Sequence, residues 1–333
     1  MKKIALVCCD NGLGHTRRVL VIAESLVSHG AKVTVFGKQS LIFKFKETAD
    51  LSKFQLVDYI SNTNAKNLTN GSNDLSLNFN MPDLDAFDCV LSDNLIEILR
   101  IRPDAWISGS FFWHRALCRV AKKYYEDCET LLRLNKPKVV STEFFSADYL
   151  TKISELKEVG FVDWHTKKPK SNKKKNSLLI SLGLGHDLGR ATLKALEDLI
   201  SIATDKFDRV YVEPAIYHQK LGTNVLAASY SPHMYSEVKL AIIRPGAGTV
   251  TQCIKHDIYI LAFYEPSNLE MAWNAQKIDF DELGKNIGVL DKQRISTVAT
   301  NLHFFKKAEP SLEKKRKYSW DGANEIASLM LTD

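Results

Sequence analysis

Short apolar runs alternate with segments of helical period along almost the whole chain, and this alternation narrows the fold more than any other feature. KKIALVCCD (Lys2 to Asp10) reads as a buried strand. RRVLVIAESLVSHG then repeats Val19, Ile22, Ala23, Leu26 and Val27 at helical spacing and stops at Gly30, and AKVTVFG reads as the next strand. Further strands are predicted at FQLVDYI, FDCVLSD, DAWISGS and PKVVST, with a long helix from Phe112 to Leu134 between the last two. Strands alternating with helices make a parallel sheet with helices on both faces.

The pattern then restarts. KKPKSNKKKNS (Lys167 to Ser177) has no apolar spacing and reads as a linker or exposed loop. After it come the strand NSLLISL, a helix in ATLKALEDLISIA, and strands at DRVYVEP, TNVLAAS, KLAIIRP, IYILAFY and NIGVLD. At 333 residues, two domains are the better expectation. The predicted division is an N-terminal domain over 1–165, a linker over 166–176 and a C-terminal domain over 177–310. Residues 61–80, rich in Asn and Ser, are predicted to be a surface loop.

The tetrapeptide GLGH occurs in both halves, as Gly12 to His15 and Gly183 to His186, each time where the first strand hands over to its helix. In an open α/β sheet that edge is where ligands bind, so two such domains are predicted to line one cleft. Gly12 and Gly14 allow a tight turn and close approach to the backbone. The helix start offers N–H groups to an anion or sugar oxygen, and His15 suits a general base or hydrogen-bond donor. The bland alternative is a glycine turn with a capping histidine. The missing third glycine, and the lack of an acid at the end of AKVTVFG, argue against a dinucleotide site. Gly183 and Gly185 either line a ligand or form a plain strand-to-helix turn, with Arg190 an added positive charge.

The segment KLAIIRPGAGTVTQ places Arg244, Gly246, Ala247, Gly248 and Thr249 between a strand and a helix, which suits a diphosphate cradle with N–H groups exposed at Gly246 and Gly248. Downstream, Glu270 is able to accept two hydrogen bonds from a ribose diol, or else is a helix-start acid. Asn274 reads as a ligand contact, a cap or a surface amide. Asp93, in VLSDN, either faces the cleft or caps a helix beginning near Leu95.

These motifs, in this order, give the chain a resemblance to bacterial glycosyltransferases of the GT-B fold. The C-terminal half resembles the family 28 domain typified by the peptidoglycan N-acetylglucosaminyltransferase. NGLGH matches that family's Gly-His loop, IIRPGAGTVTQ its S-R-x-G-A-x-T-x-x-E segment, and LEMAWNAQ its E-Q-x-x-N-A. The resemblance implies two Rossmann-like domains facing across a cleft. It also implies inverting, metal-independent transfer of a sugar from a nucleotide diphosphate, UDP above all, to an acceptor hydroxyl. Gly246 to Thr249 would hold the diphosphate, Glu270 the ribose, and the region of Asn274 and Gln276 the sugar or the loop shape. His15 or Asp93 would be the base, with Arg244 helping on the phosphates. Residues 311–333 would return as a helix to the N-terminal domain. Gln252 and Met271 replace the family's usual Glu and Gln, which leaves the donor sugar open.

Two other activities share the pattern: hydrolysis of a nucleotide sugar, as in the pseudaminic acid pathway enzyme, where an arginine such as Arg17 or Arg18 also follows the Gly-His loop, and non-catalytic binding. The former usually has R-x-D before the loop, where this chain has Cys8, Cys9 and Asp10. No cofactor is expected beyond the donor substrate, and no metal. The six cysteines show neither a C-x-x-C pair nor metal spacing with histidine, which fits a reducing cytoplasm. The net charge of +6 comes without a nucleic-acid-binding motif, so nucleic acid is not an expected partner. The acceptor is expected to be a saccharide or lipid-linked. SLIFKFKETADLSKF and FFWHRALCRVAKKYY mix aromatics with cations, either as helices packed on the first sheet or as a peripheral contact with an anionic bilayer at the inner membrane face.

Overall fold

The computed structural model describes residues 1–10, 12–60, 83–110, 114–115, 118, 121–164, 176–183, 190–218 and 221–333. The segment 61–80 and the lysine-rich stretch 166–175 lie outside the described residues. The chain forms two compact units, Met1–Trp164 with Tyr318–Asp333, and His165–Lys317.

In the first unit the strands are β1 (Lys3–Val7), β2 (Lys32–Gly37), β3 (Gln55–Asp58), β4 (Cys89–Asp93), β5 (Trp106–Ser108), β6 (Lys138–Thr142) and β7 (Glu155–Val159). They form one sheet in the order β3-β2-β1-β4-β5-β6-β7, every pair parallel. The second unit has β8 (Ser177–Ser181), β9 (Arg209–Val212), β10 (Val225–Ala227), β11 (Val238–Ile243), β12 (Tyr259–Tyr264) and β13 (Gly284–Val289), also all parallel, in the order β10-β9-β8-β11-β12-β13. The longer helices are α1 (Leu13–Ser28), α2 (Lys122–Asn135), α3 (Arg190–Thr204), α4 (Ala247–Lys255), α5 (Leu269–Phe280), α6 (Lys292–Phe305) and α7 (Gly322–Thr332).

Strand order reverses between β1 and β4 in one sheet and between β8 and β11 in the other. At such a switch point neighbouring loops part and leave a crevice at the carboxyl edge. The central strands are buried on both faces, as their unbroken apolar runs require. Ile4 to Val7 and Leu178 to Ile180 are fully inaccessible. Helix α1 turns Leu20, Ile22, Ala23 and Leu26 into the first core, and α3 turns Leu196, Leu199 and Ile200 into the second. Each buried leucine or isoleucine among them contributes roughly 1.5–3 kcal/mol.

The last helix belongs to the first core. Ile326, Ala327 and Met330 of α7 pack with Leu20 and Leu26 of α1, and Ser25 donates to Asn324 at 2.6 Å. The returning backbone passes so close that a Cβ on Gly322 would lie 2.1 Å from the carbonyl oxygen of Gly160. Only glycine fits there. Phe161 N–H donates to Ser319 O at 2.8 Å beside the stacked rings of Phe161 and Trp320.

Two elements differ from the sequence reading. Strand β7 was not predicted, because an edge strand bearing Glu155, Lys157 and Glu158 has no apolar run to announce it. Of the long helix expected from Phe112 to Leu134, the described helical stretch is Lys122–Asn135, the residues before it lying partly outside the described ones. Ala121, at φ −137° and ψ 60°, precedes it without a side-chain cap.

Candidate functional site

In the first unit, β1 is followed by the buried Cys8 and Cys9. Gly12, at φ +151°, then makes the turn into α1, a backbone angle that side-chain-bearing residues rarely adopt. Gly14 is different. It has an ordinary helical backbone, and a Cβ there would meet nothing within 4 Å. The first turn of α1 has no side-chain cap, so its leading N–H groups have no helical partner.

His15 sits on this turn, and β4 brings Asp93 beneath it. Register places Val7 beside Ser92 and Asp93 beside Ser108. The imidazole Nδ1 lies 2.7 Å from Asp93 Oδ2. The other carboxylate oxygen, Oδ1, accepts from Arg18 Nε at 2.7 Å and from Ser108 Oγ at 2.6 Å. Asp93 is completely buried, whereas the side chain of His15 is 27% exposed. Burial alone would raise the Asp93 carboxyl. The charges of Arg18 and His15, with the hydrogen bonds from His15 and Ser108, outweigh it and hold the group below the usual carboxylate range. Asp93 is not a helix cap, since the following short helix, Ile96–Arg100, has no side-chain cap.

Of the two arginines after His15, only Arg18 joins this cluster. Arg17 pairs with Asp163 and lies over the ring of Trp164. Arg18 is three residues from His15 on one helix, a spacing that shares a face, so its place was readable from sequence. Ser108 was not, because only strand register brings it there. Asp10 stands at the same edge. Its Oδ1 is buried without a hydrogen-bond partner, and burial raises its carboxyl above the ordinary value.

In the second unit, Gly183 follows β8 at φ +67°, and its N–H donates to the buried Glu213 at 2.6 Å. A Cβ on it would press on Arg244 Cδ at 3.3 Å. Gly185 lies outside the described residues. Arg244 connects three segments: its N–H donates to Ser181 O, its side chain crosses Gly183, and its Nε donates to Glu265 at 3.1 Å.

The next loop opens α4. Gly246 N–H is taken by Arg244 O at 2.8 Å, so the expected exposed donor at Gly246 is not there. The leading amides of α4 belong to Ala247, Gly248 and Thr249. They are partly exposed, with no acidic residue in the first turn and no side-chain cap. A Cβ on Gly246 or Gly248 would meet nothing within 4 Å, so neither glycine is demanded by internal packing.

Asn274, 1% exposed, reaches back from α5 and donates from Nδ2 to Pro245 O at 2.9 Å. It shapes the loop. Glu270 lies one helical turn earlier, half-buried, while the cap of α5 is Asn268, which accepts from Met271 N–H. Met271 is buried at 7% exposure, so its side chain is core. Gln276 is exposed and sits roughly 200° around the helix from Asn274, away from the Asn274 face. Among the described residues no three His, Cys, Asp or Glu side chains cluster as metal ligands would, and no helix is long and apolar enough to cross a membrane.

No family model matches the sequence, and no curated protein matches it. Solved structures do match over nearly the whole chain. Arabidopsis thaliana UGT89C1 complexed with UDP aligns with a TM-score of 0.71 at 12% identity, covering 99% of each chain. The glycotransferase of kitacinnamycin aligns at 0.63 and 14% identity, over 99% of this chain and 98% of that one. The spinosyn rhamnosyltransferase SpnG gives 0.62 and 14%, over 99% and 96%. Two parallel-sheet α/β units in this arrangement of strands, with these structural neighbours, are the GT-B fold.

Proposed function

We propose that the chain is a glycosyltransferase that moves a hexose-type sugar from a UDP-sugar to an acceptor hydroxyl, with inversion, without a metal and with no cofactor beyond the donor. The contact of His15 Nδ1 with the buried Asp93 carboxylate carries this reading. With Nδ1–H directed at Asp93, the lone pair of Nε2 is left to take a proton. The acceptor hydroxyl gives its proton to Nε2 as its oxygen attacks the anomeric carbon. The bond from that carbon to the diphosphate oxygen breaks, and attack from the opposite face inverts the centre. Asp93 holds the tautomer and stabilises the imidazolium as it forms.

The second unit provides for the leaving group. The amides of Ala247, Gly248 and Thr249 at the positive end of α4, with the Arg244 guanidinium, offer stabilisation for the charge that develops on the diphosphate. Glu270 is assigned to the ribose diol. The UDP bound in the UGT89C1 structure supports uridine as the base. Gly12 and Gly14 let substrate approach the backbone of α1; Gly183 belongs to the donor side through Arg244, and Gly185 is assigned to that side from its place in the sequence. A saccharide acceptor, free or lipid-linked, and a cytoplasmic place for the reaction complete the proposal.

A thermal-shift screen against UDP-, GDP-, CDP- and dTDP-sugars, followed by product analysis with and without candidate acceptors, tests it. UDP-sugars are expected to raise Tm most. Stoichiometric free sugar without acceptor would show a hydrolase and end the transferase reading.

A further inference from the structure

The cation beside the His15–Asp93 pair is not required by a simple base-and-carboxylate arrangement. Arg18 Nε and Nη2 both reach Asp93 Oδ1, at 2.7 and 2.6 Å, and Nη2 also lies 3.2 Å from His15 Nδ1. The carboxylate is thus divided between its two oxygens, Oδ1 to Arg18 and Ser108, and Oδ2 to His15. A guanidinium stays charged at every working pH.

We propose that Arg18 is a positioning residue that offsets the charge of Asp93 and so keeps His15 free of its second proton, a role resting on the reading of His15 as the base. A bare buried carboxylate 2.7 Å from an imidazole favours the imidazolium, and an imidazolium accepts no further proton. With Arg18 in place, the imidazole faces a neutral carboxylate–guanidinium pair rather than a full negative charge. Asp93 still orients Nδ1–H, because its contact is the shorter one. Arg18, a donor only, is able to bond Nδ1 only in the opposite tautomer, whose Nε2–H is no base.

Asp10 faces His15 from the end of β1, with its own charge disfavoured by burial and drawn on by Lys38 from the end of β2. Neither matches the reach of Arg18, which contacts both members of the pair.

The test is a titration of His15 by NMR in the full chain carrying 15N-labelled histidine, with the resonance assigned by its loss in His15→Ala. In the wild type at neutral pH the proton is expected on Nδ1 alone. In Arg18→Met and Arg18→Gln, His15 is expected to take its second proton about one pH unit or more higher, because a cation a few ångströms away has been removed. Arg18→Lys, which keeps the charge, is expected to stay near the wild type.

An unchanged or lowered titration in the neutral variants overturns the inference, even if Tm falls, since a merely structural arginine would lower Tm without moving the titration. Should neither neutral variant fold, a doubly protonated His15 in the wild type at pH 7 overturns it without any variant. The activity reading fails separately. If His15→Ala still transfers sugar, the base assignment ends while the titration result stands; if the titration does not move, Arg18 loses its role while the base assignment stands.

Discussion

The two units use the same position for opposite charges. In each, a strand ending in a glycine turn lies beside the strand across the switch point. One residue beyond the last paired position, that neighbour carries Asp93 in the first unit, after Val7 paired with Ser92, and Arg244 in the second, after Ser181 paired with Ile243. The acid is buried and holds an imidazole. The base is a third exposed and lies over Gly183. The repeated GLGH therefore marks a place in the fold, while the neighbouring strand decides the chemistry. In the proposed reading, the anionic end orients a proton acceptor and the cationic end meets a phosphate.

Replacing His15 by Ala should break this division most sharply. Loss of a positioned general base lowers turnover by roughly 10²–10⁴. Donor affinity, assigned to the other unit, should stay within about twofold. Steady-state kinetics with isothermal titration of UDP separates the two, and equal losses in both would return His15 to a structural role.

Asp93→Asn probes the same unit through stability. Because the folded carboxyl lies below its unfolded value, ionised Asp93 contributes stability that is present above about pH 4 and is lost as pH falls through the folded value. The variant leaves Arg18 and His15 beside an uncharged amide, at a cost of about 3 kcal/mol near neutrality. Urea unfolding at pH 7, 5, 4 and 3 should show the gap between wild type and variant closing on acidification. A gap that does not change with pH would mean that Asp93 contributes as a neutral group.

The sheet edges that hold these charges were legible in the sequence to different depths. Apolar runs announced β1, β2 and β8 because central parallel strands have no polar face, and the R-P-G-A-G loop was visible because strand, turn and helix are local. Contacts set by strand register left no trace. His15 and Asp93 lie 78 residues apart in sequence, and nothing in either stretch announces their contact at 2.7 Å. The pairing of Gly183 N–H with Glu213, 30 residues apart, is equally unannounced. Gly246 shows a subtler limit: the motif suggested a free N–H, but Pro245 bends the chain so that Arg244 O takes it.

Gly12 and Gly183 differ from Gly14, Gly246 and Gly248 in what they demand. Gly12→Ala and Gly183→Ala force a side chain into positive φ, which costs about 1–3 kcal/mol in each unit. For Gly183 the added methyl also presses on Arg244, so donor affinity should fall with stability. For Gly12 the damage should appear in turnover. Chemical denaturation and donor titration of both variants sharpen the contrast, and a weaker donor in Gly12→Ala would blur it.

The smallest effect is the most specific. Gly14, Gly246 and Gly248 face open space with ordinary φ, so alanine should fit each with stability unchanged, or raised by up to about 1 kcal/mol where the residue is helical. Any loss of function in these variants must then come from a methyl standing where a ligand approaches the backbone. Gly248→Ala is expected to weaken UDP binding about tenfold, equivalent to roughly 1.4 kcal/mol, because its neighbours' amides are assigned to the diphosphate. Gly14→Ala is expected to spare UDP and reduce turnover, since its helix carries His15, the proposed base. If both variants bind UDP and turn over as the wild type does, these glycines serve no ligand, and the charge inversion between the two units loses its link to the substrate.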